Sequence, residues 1–190
     1  MVIKKAREFA INAHEGQFYG PSDKPYSYHL EKVVLVLKRF GIETPEILAA
    51  GWLHDALEDT DVTLEDITEN FGIEVARLVD AVTDGEGATR SERKARPYRL
   101  IPTCPGAVCL KLADRIANLE ASISEGHDRL LRRYASEHPA FMSALYNGSC
   151  PAMWMYLDHL FLSHGYVFTT PDAVGLSDQA PQPQQGEPNE

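Results

Sequence analysis

Apolar residues recur every three to four positions along most of the chain, and strict alternation is hard to find, so the pattern predicts helices rather than sheet. Residues 2–17 place Ile3, Ala6, Phe9, Ala10 and Ala13 on one helical face. A turn-rich stretch, 20–25, separates them from a second helix over 28–40, striped by Leu30, Val33, Val34 and Leu37 and stopped by Gly41. Thr44-Pro45 is a helix start, and the helix after it, 47–57, is apolar nearly all round, which predicts a buried central position. Thr63 and Asp66 have capping-box spacing for a short helix ending at Phe71-Gly72. An amphipathic helix follows over 73–82, and a basic one over 90–96 that Pro97 should halt. A long helix begins near 103–105 and carries Val108, Leu112, Ile116, Leu119 and Ile123 on one face; helical patterns continue over 128–147 and 151–163. From Pro171 onward Pro, Gln, Gly and Asp dominate, which predicts disorder. The expected architecture is one all-α domain, residues 1–165, with an acidic Pro/Gln-rich tail, 166–190.

A chain of 190 residues can build one proper core but hardly two. The first ten residues carry Lys4, Lys5, Arg7 and Glu8, which excludes an apolar signal-peptide core, and no apolar run approaches the ~20 residues of a membrane span. The cysteines, Cys104, Cys109 and Cys150, lack CxxC spacing and read as reduced, buried side chains of a cytoplasmic protein. A net charge of −10 argues against a nucleic-acid binder, and no membrane partner is expected. One basic island, Arg90, Arg93, Lys94, Arg96 and Arg99, interrupts the acidic body; it reads equally as an anion site or as a solvated helix face.

The sharpest anomaly ends the apolar central helix: His54, Asp55, Glu58 and Asp59 arrive together. Desolvating a carboxylate is costly, so buried acids are usually paired or bound to metal. Helical spacing sets His54 beside Glu58 and Asp55 beside Asp59, and three carboxylates there would repel one another without a shared cation or proton. An ordinary solvated helix end is the competing explanation. His29 stands just before the apolar stripe of the second helix, and Asp114 lies one turn from Asn118 on the long helix. Each alone would pass for a surface group. Together, His29, His54, Asp55 and Asp114 form a two-nitrogen, two-oxygen set drawn from three helices, suited to Mn²⁺.

The order His29…His54-Asp55…Asp114 resembles the HD metal-dependent phosphohydrolases. Further blocks narrow it: 8–17 around Ala13-His14-Glu15-Gly16-Gln17, Pro25-Tyr26…His29, Leu53-His54-Asp55…Glu58-Asp59-Thr60, Phe71-Gly72…Val79-Asp80, and Lys111-Leu112-Ala113-Asp114…Asn118-Leu119. These are similar to the hydrolase domain of Rel/SpoT proteins and to its free-standing form, the small alarmone hydrolases, over roughly residues 4–147. The resemblance implies an HD-domain helical bundle that removes the 3′-pyrophosphate of (p)ppGpp or (p)ppApp. It implies that His29, His54, Asp55 and Asp114 hold Mn²⁺, and that Glu58 and Asp59 position or deprotonate the attacking water. It also implies that Tyr26, Lys111, Asn118 and Tyr134 contact the nucleotide, and that Arg90 contacts phosphate.

The chain departs from this pattern on the nucleotide side. Phe18-Tyr19 stand where the family places two basic residues, Leu30 replaces a customary Pro, and Leu130 replaces a basic residue that Arg129, Arg132 or Arg133 could substitute. These changes leave the metal set intact and leave the purine open. The sequence is compatible with a homo-oligomer. The residues after 150 are too few for a Rel/SpoT-type synthetase domain. The competing expectations are a phosphohydrolase of another nucleotide, such as the 2′-phosphate of NADPH or a deoxynucleotide, and a catalytically idle antidote. The last would be expected to lose metal ligands or the Glu-Asp pair, and all six residues are present.

Overall fold

Periodic apolar stripes produce ten α-helices among the described residues, 1–20 and 23–168 of a computed structural model. They are α1 Val2–Ala13, α2 Ser27–Arg39, α3 Pro45–Leu53, α4 Ala56–Asp59, α5 Leu64–Phe71, α6 Ile73–Val82, α7 Arg90–Leu100, α8 Ala107–Ser124, α9 Asp128–Leu145 and α10 Pro151–Leu162. A single 3₁₀ turn, Ile101–Thr103, links α7 to α8, and one isolated bridge joins Phe18 to Pro25. The helix α3 is the centre of the packing: α1, α2, α6 and α8 all lie against it, and Leu48 to Leu53 are buried without interruption.

One feature of α3 brings the two histidine-bearing helices close. A Cβ on Gly51 would stand 3.0 Å from Val34 Cγ2 and 3.1 Å from Leu37 Cδ1, so the glycine lets α2 approach α3. Beneath α9 and α10, Phe141, Trp154, Leu157 and Phe161 fill a second part of the same core.

The local signals act as expected where they are local. Thr63 and Asp66 form a full capping box at α5, and Thr89 and Glu92 form another at α7. The differences arise where distant groups intervene. The first helix ends at Ala13, short of the expected 17, and His14 caps it. The central helix breaks at His54-Asp55 instead of running to 57; Asp55 becomes the N-cap of the one-turn α4. Pro97 does not halt α7 but lies inside it. Proline has no N–H for the Arg93 carbonyl, and the Gly85 N–H takes that acceptor at 2.8 Å, so the lost helical bond is replaced from a loop.

The cysteines require a correction. All three are half-buried, and two are paired: Cys109 of α8 is disulfide-bonded to Cys150, just ahead of α10, across a Cα–Cα distance of 5.9 Å. Cys104 is free. The packing of α10 on α8 makes the pair, and a separation of 41 residues gave no sign of it. Of the expected tail, Tyr166 and Phe168 pack on Phe161, and Phe168 also meets the His138 ring. The rest of that tail, residues 169–190, lies outside the described residues. Among the described residues no helix is long and apolar enough to cross a membrane.

Candidate metal centre

Ligand atoms of His29, His54 and Asp55 lie within 4.8 Å of one another, and Asp114 approaches the two histidines. His29 lies in the first turn of α2, His54 caps α3, Asp55 opens α4, and Asp114 stands mid-way along α8. His29 Nε2 and His54 Nε2 are 3.3 Å apart. Asp55 Oδ2 lies 3.0 Å from His54 Nε2 and 3.5 Å from His29 Nε2. Asp114 Oδ1 is 3.4 Å from His29 Nε2 and 3.9 Å from His54 Nε2. His54 Nδ1 lies 3.0 Å from the Gly51 carbonyl, an acceptor, so Nδ1 carries a proton and Nε2 is the nitrogen that faces the cluster.

The electrostatics keep both carboxylates ionised. Burial alone would raise both carboxyl groups, yet His54 and His29 hold Asp55 well below the usual carboxylate range, and Lys111 with the histidines does the same for Asp114. Burial opposes a charge on His54, but Asp55 and then Asp114 outweigh it and push the imidazole up to about 9. Two ionised carboxylates and two imidazole nitrogens turned toward one volume are the donor set of a divalent ion. The residues present fit such an ion.

Around this point the other acids divide. Asp55 and Asp59 do meet, but through a third group: the Tyr26 hydroxyl lies 2.8 Å from Asp55 Oδ2 and 2.9 Å from Asp59 Oδ2. Its single proton is shared between two carboxylates. Burial, followed by those same two charges, raises the phenol far above its ordinary range and keeps it protonated. Glu58 turns elsewhere: its carboxylate accepts the Asp84 N–H at 2.6 Å. Burial is the largest influence on Glu58, and together with Asp55 and Asp84 it outweighs that amide and Lys111, so its pKa rises. The expected pairing of Asp55 with Asp59 is kept within one turn, the Asp59 N–H bonding the Asp55 carbonyl at 3.0 Å, whereas Glu58 finds its partner in the Asp84 amide.

The nucleotide-side residues form an outer network. Lys111 is buried, with Nζ 3.1 Å from Asp114 Oδ2 and 3.4 Å from the Val82 carbonyl. Asn118 donates to Asp114 Oδ1 at 2.6 Å. Glu137 of α9 bridges Arg90 at 2.6 Å and Arg115 at 3.4 Å, and the Arg115 guanidinium lies 4.8 Å from the Tyr134 ring centroid. The basic island is mostly neutralised from within: Arg90 pairs with Glu137, Lys94 with Asp84 and Arg96 with Asp80. Arg93 donates to the Gly87 carbonyl, and Arg99 is exposed. Arg90 and Tyr134 therefore stand one layer out from the metal point.

Two residues here were not among the expected site set. His14 stacks on Tyr26, with centroids 4.7 Å apart, and its Nδ1 lies 2.8 Å from Gln17 Oε1. Tyr19 lies flat against His29, while its neighbour Phe18 is 63% exposed. The sequence placed Phe18-Tyr19 where the family has two basic residues and did not tell the two apart. The hairpin that ends at the Phe18–Pro25 bridge turns one inward and the other out.

The HD domain family matches residues 6–141. The chain is 39% identical over 120 residues to the guanosine-3′,5′-bis(diphosphate) 3′-pyrophosphohydrolase MESH1 of Mus musculus, covering 62% of this chain and 67% of that protein. It is 32% identical over 171 residues to the Xenopus tropicalis protein of the same name, covering 86% and 95%. The Aquifex aeolicus (strain VF5) guanosine-3′,5′-bis(diphosphate) 3′-pyrophosphohydrolase is 39% identical over 122 residues, which are 62% of this chain but 17% of that much longer one. Among solved structures, one described as "A metazoan ortholog of SpoT hydrolyzes ppGpp and plays a role in starvation responses" superposes with a TM-score of 0.75 at 27% identity, over 87% of this chain and 97% of that one.

Proposed function

The chain belongs to the HD-domain family, and from that premise we propose that it is a Mn²⁺-dependent 3′-pyrophosphohydrolase of an alarmone nucleotide, (p)ppGpp or (p)ppApp. The observation that carries this reading is the convergence of His29, His54, Asp55 and Asp114 with Glu58 alongside. Support for the substrate comes from relatives named for the same reaction on guanosine-3′,5′-bis(diphosphate). The four residues would hold the ion, which when bound supplies Lewis acidity and lowers the pKa of a water.

The chain's own groups then have distinct tasks. Glu58, with its raised pKa and its amide partner at Asp84, takes the proton from the attacking water. Asp59 and Tyr26 keep Asp55 oriented through the shared hydroxyl proton. Water adds to the phosphorus on the 3′-oxygen, the bond between that phosphorus and the 3′-oxygen breaks, and the oxygen leaves as a hydroxyl with the proton that Glu58 took. Pyrophosphate is released. Lys111 and Arg90 supply positive charge to the phosphates, and Tyr26, Asn118 and Tyr134 border the nucleotide. The partner in this reading is the small-molecule nucleotide, with no nucleic acid or membrane.

One observation favours a second reading. Because Arg90, Lys94 and Arg96 are already paired with acids, less free charge remains for a polyphosphate arm, as suits a nucleotide with a single phosphate at the site. The test incubates the full chain with ppGpp, pppGpp, ppApp and pppApp, with Mn²⁺ and then with chelator. We expect Mn²⁺-dependent pyrophosphate from at least one of the four. Orthophosphate from a 2′- or 3′-monophosphate, with no pyrophosphate from any of the four, would replace the first reading by the second.

A further inference from the structure

We propose that Tyr19 is a positioning residue that clamps two metal ligands at once, His29 by ring stacking and Asp114 through Asn118. The inference rests on the metal-site reading above. The geometry is direct. The Tyr19 and His29 rings are parallel within 1°, with centroids 5.0 Å apart, an offset stack that fixes the imidazole plane. From the other end of the same ring, the Tyr19 hydroxyl donates to Asn118 Oδ1 at 2.9 Å. Asn118 Nδ2 in turn donates to Asp114, at 2.6 Å to Oδ1 and 3.1 Å to the carbonyl oxygen. Asp114 Oδ1 is the oxygen that faces His29 Nε2.

The clamp answers a need of these particular ligands. His54 is held by its Nδ1 bond to Gly51, but His29 Nδ1 is buried with no hydrogen-bond partner among the described residues. An imidazole ligand without that bond has nothing polar to set its rotation. The flat face of Tyr19 supplies the missing restraint. Asp114 has Lys111 on Oδ2, the Asn118 amide donates to the ligand-facing Oδ1 from outside the cluster, and the Tyr19 hydroxyl fixes which way that amide points.

The hairpin bearing Tyr19 is itself anchored. Its backbone closes with Tyr19 N–H to the Lys24 carbonyl at 2.9 Å and Tyr26 N–H to the Gln17 carbonyl at 2.9 Å. Lys24 Nζ reaches Glu125, just past α8, at 2.6 Å. Tyr19 is thus presented by a strap fastened to the end of the helix whose Asp114 it orients.

The test measures Mn²⁺ affinity of the full chain by competition with a fluorescent chelator, and turnover with an alarmone as a second readout. Tyr19→Phe keeps the stack and removes the hydroxyl; affinity should fall about 10-fold. Tyr19→Leu removes both and should approach a 100-fold loss, at about the upper end for such partners. The exposed neighbour variant Phe18→Ala should leave affinity unchanged. In the pair Tyr19→Phe with Asn118→Ala, the double variant should bind no more weakly than Asn118→Ala alone, because the hydroxyl acts through that amide. Saturating Mn²⁺ should restore kcat in Tyr19→Phe with KM unmoved. Wild-type affinity in both Tyr19 variants would overturn the clamp while leaving the proposed function standing. A raised KM at saturating Mn²⁺ would also overturn it and make Tyr19 a substrate contact. Absence of Mn²⁺ binding by the wild type would remove this inference and the metal-site reading together. Melting curves of each folded variant separate lost affinity from lost structure.

Discussion

Replacing Lys111 with Met removes one buried cation and little else, since the unbranched stem is kept. Lys111 Nζ lies 3.1 Å from Asp114 Oδ2, with side-chain exposures of 9% and 16%. Its pKa is raised although burial opposes the charge, because Asp114, Glu58, Asp55 and Asp84 all act on it. Without the ammonium, Asp114 keeps a buried charge that has lost its principal partner. Breaking a buried pair in this way costs about 3–5 kcal/mol. That is a large share of the roughly 5–15 kcal/mol that holds a typical domain together. In a chain of this length it corresponds to a fall of roughly 6–20 °C in melting temperature. Urea unfolding of the chelator-treated variant beside the chelator-treated wild type measures the loss directly. Mn²⁺ should recover part of it, since a divalent ion faces the same carboxylate. Lower pH should shrink it, as protonation removes the stranded charge. A loss below about 1 kcal/mol would refute the reasoning, because exposed pairs are worth no more than that.

Asp55→Ala should abolish turnover and also lower the melting temperature of the chelator-treated protein, since it removes the carboxylate that pairs with His54 and accepts the Tyr26 hydroxyl; an unchanged melting temperature would contradict that pairing. The chelator-treated wild type should lose stability as pH rises. A His54 pKa raised from 6.5 to about 9 contributes stability that is fully present below pH 6.5 and lost as pH passes through about 9. A flat melting temperature over that range would contradict the assignment, and bound Mn²⁺ should abolish the slope, because proton and ion compete for Nε2. Alkylation of the unfolded, unreduced chain should modify Cys104 alone, and all three cysteines after reduction. The disulfide closes a loop over a separation of 41 residues, so its reduction should cost about 4 kcal/mol on loop-entropy grounds, read as a lower urea midpoint.

Much of the helical architecture was legible because its causes are local. The span of α6, the capping box at Thr63–Asp66 and the apolar run from Leu48 to Leu53 depend on neighbours within two turns. The candidate ligands were legible for a different reason. A buried helix ending in His54-Asp55 followed by Glu58-Asp59 is chemically costly, and cost of that kind shows in composition alone.

What the sequence determined by itself was therefore the set of elements and the residue types that need a cation. The tertiary structure decided how those residues are divided. Asp59 meets Tyr26, the N-cap of α2, and Glu58 meets the Asp84 amide, partners that lie 33 and 26 positions away. The basic island became ion pairs because Glu137, Asp84 and Asp80 meet it from other elements. Cys109 found Cys150, and Tyr19 reached Asn118 across 99 positions. Periodicity and capping are written into a few consecutive residues, whereas charge pairing and ring stacking depend on groups that only packing brings together.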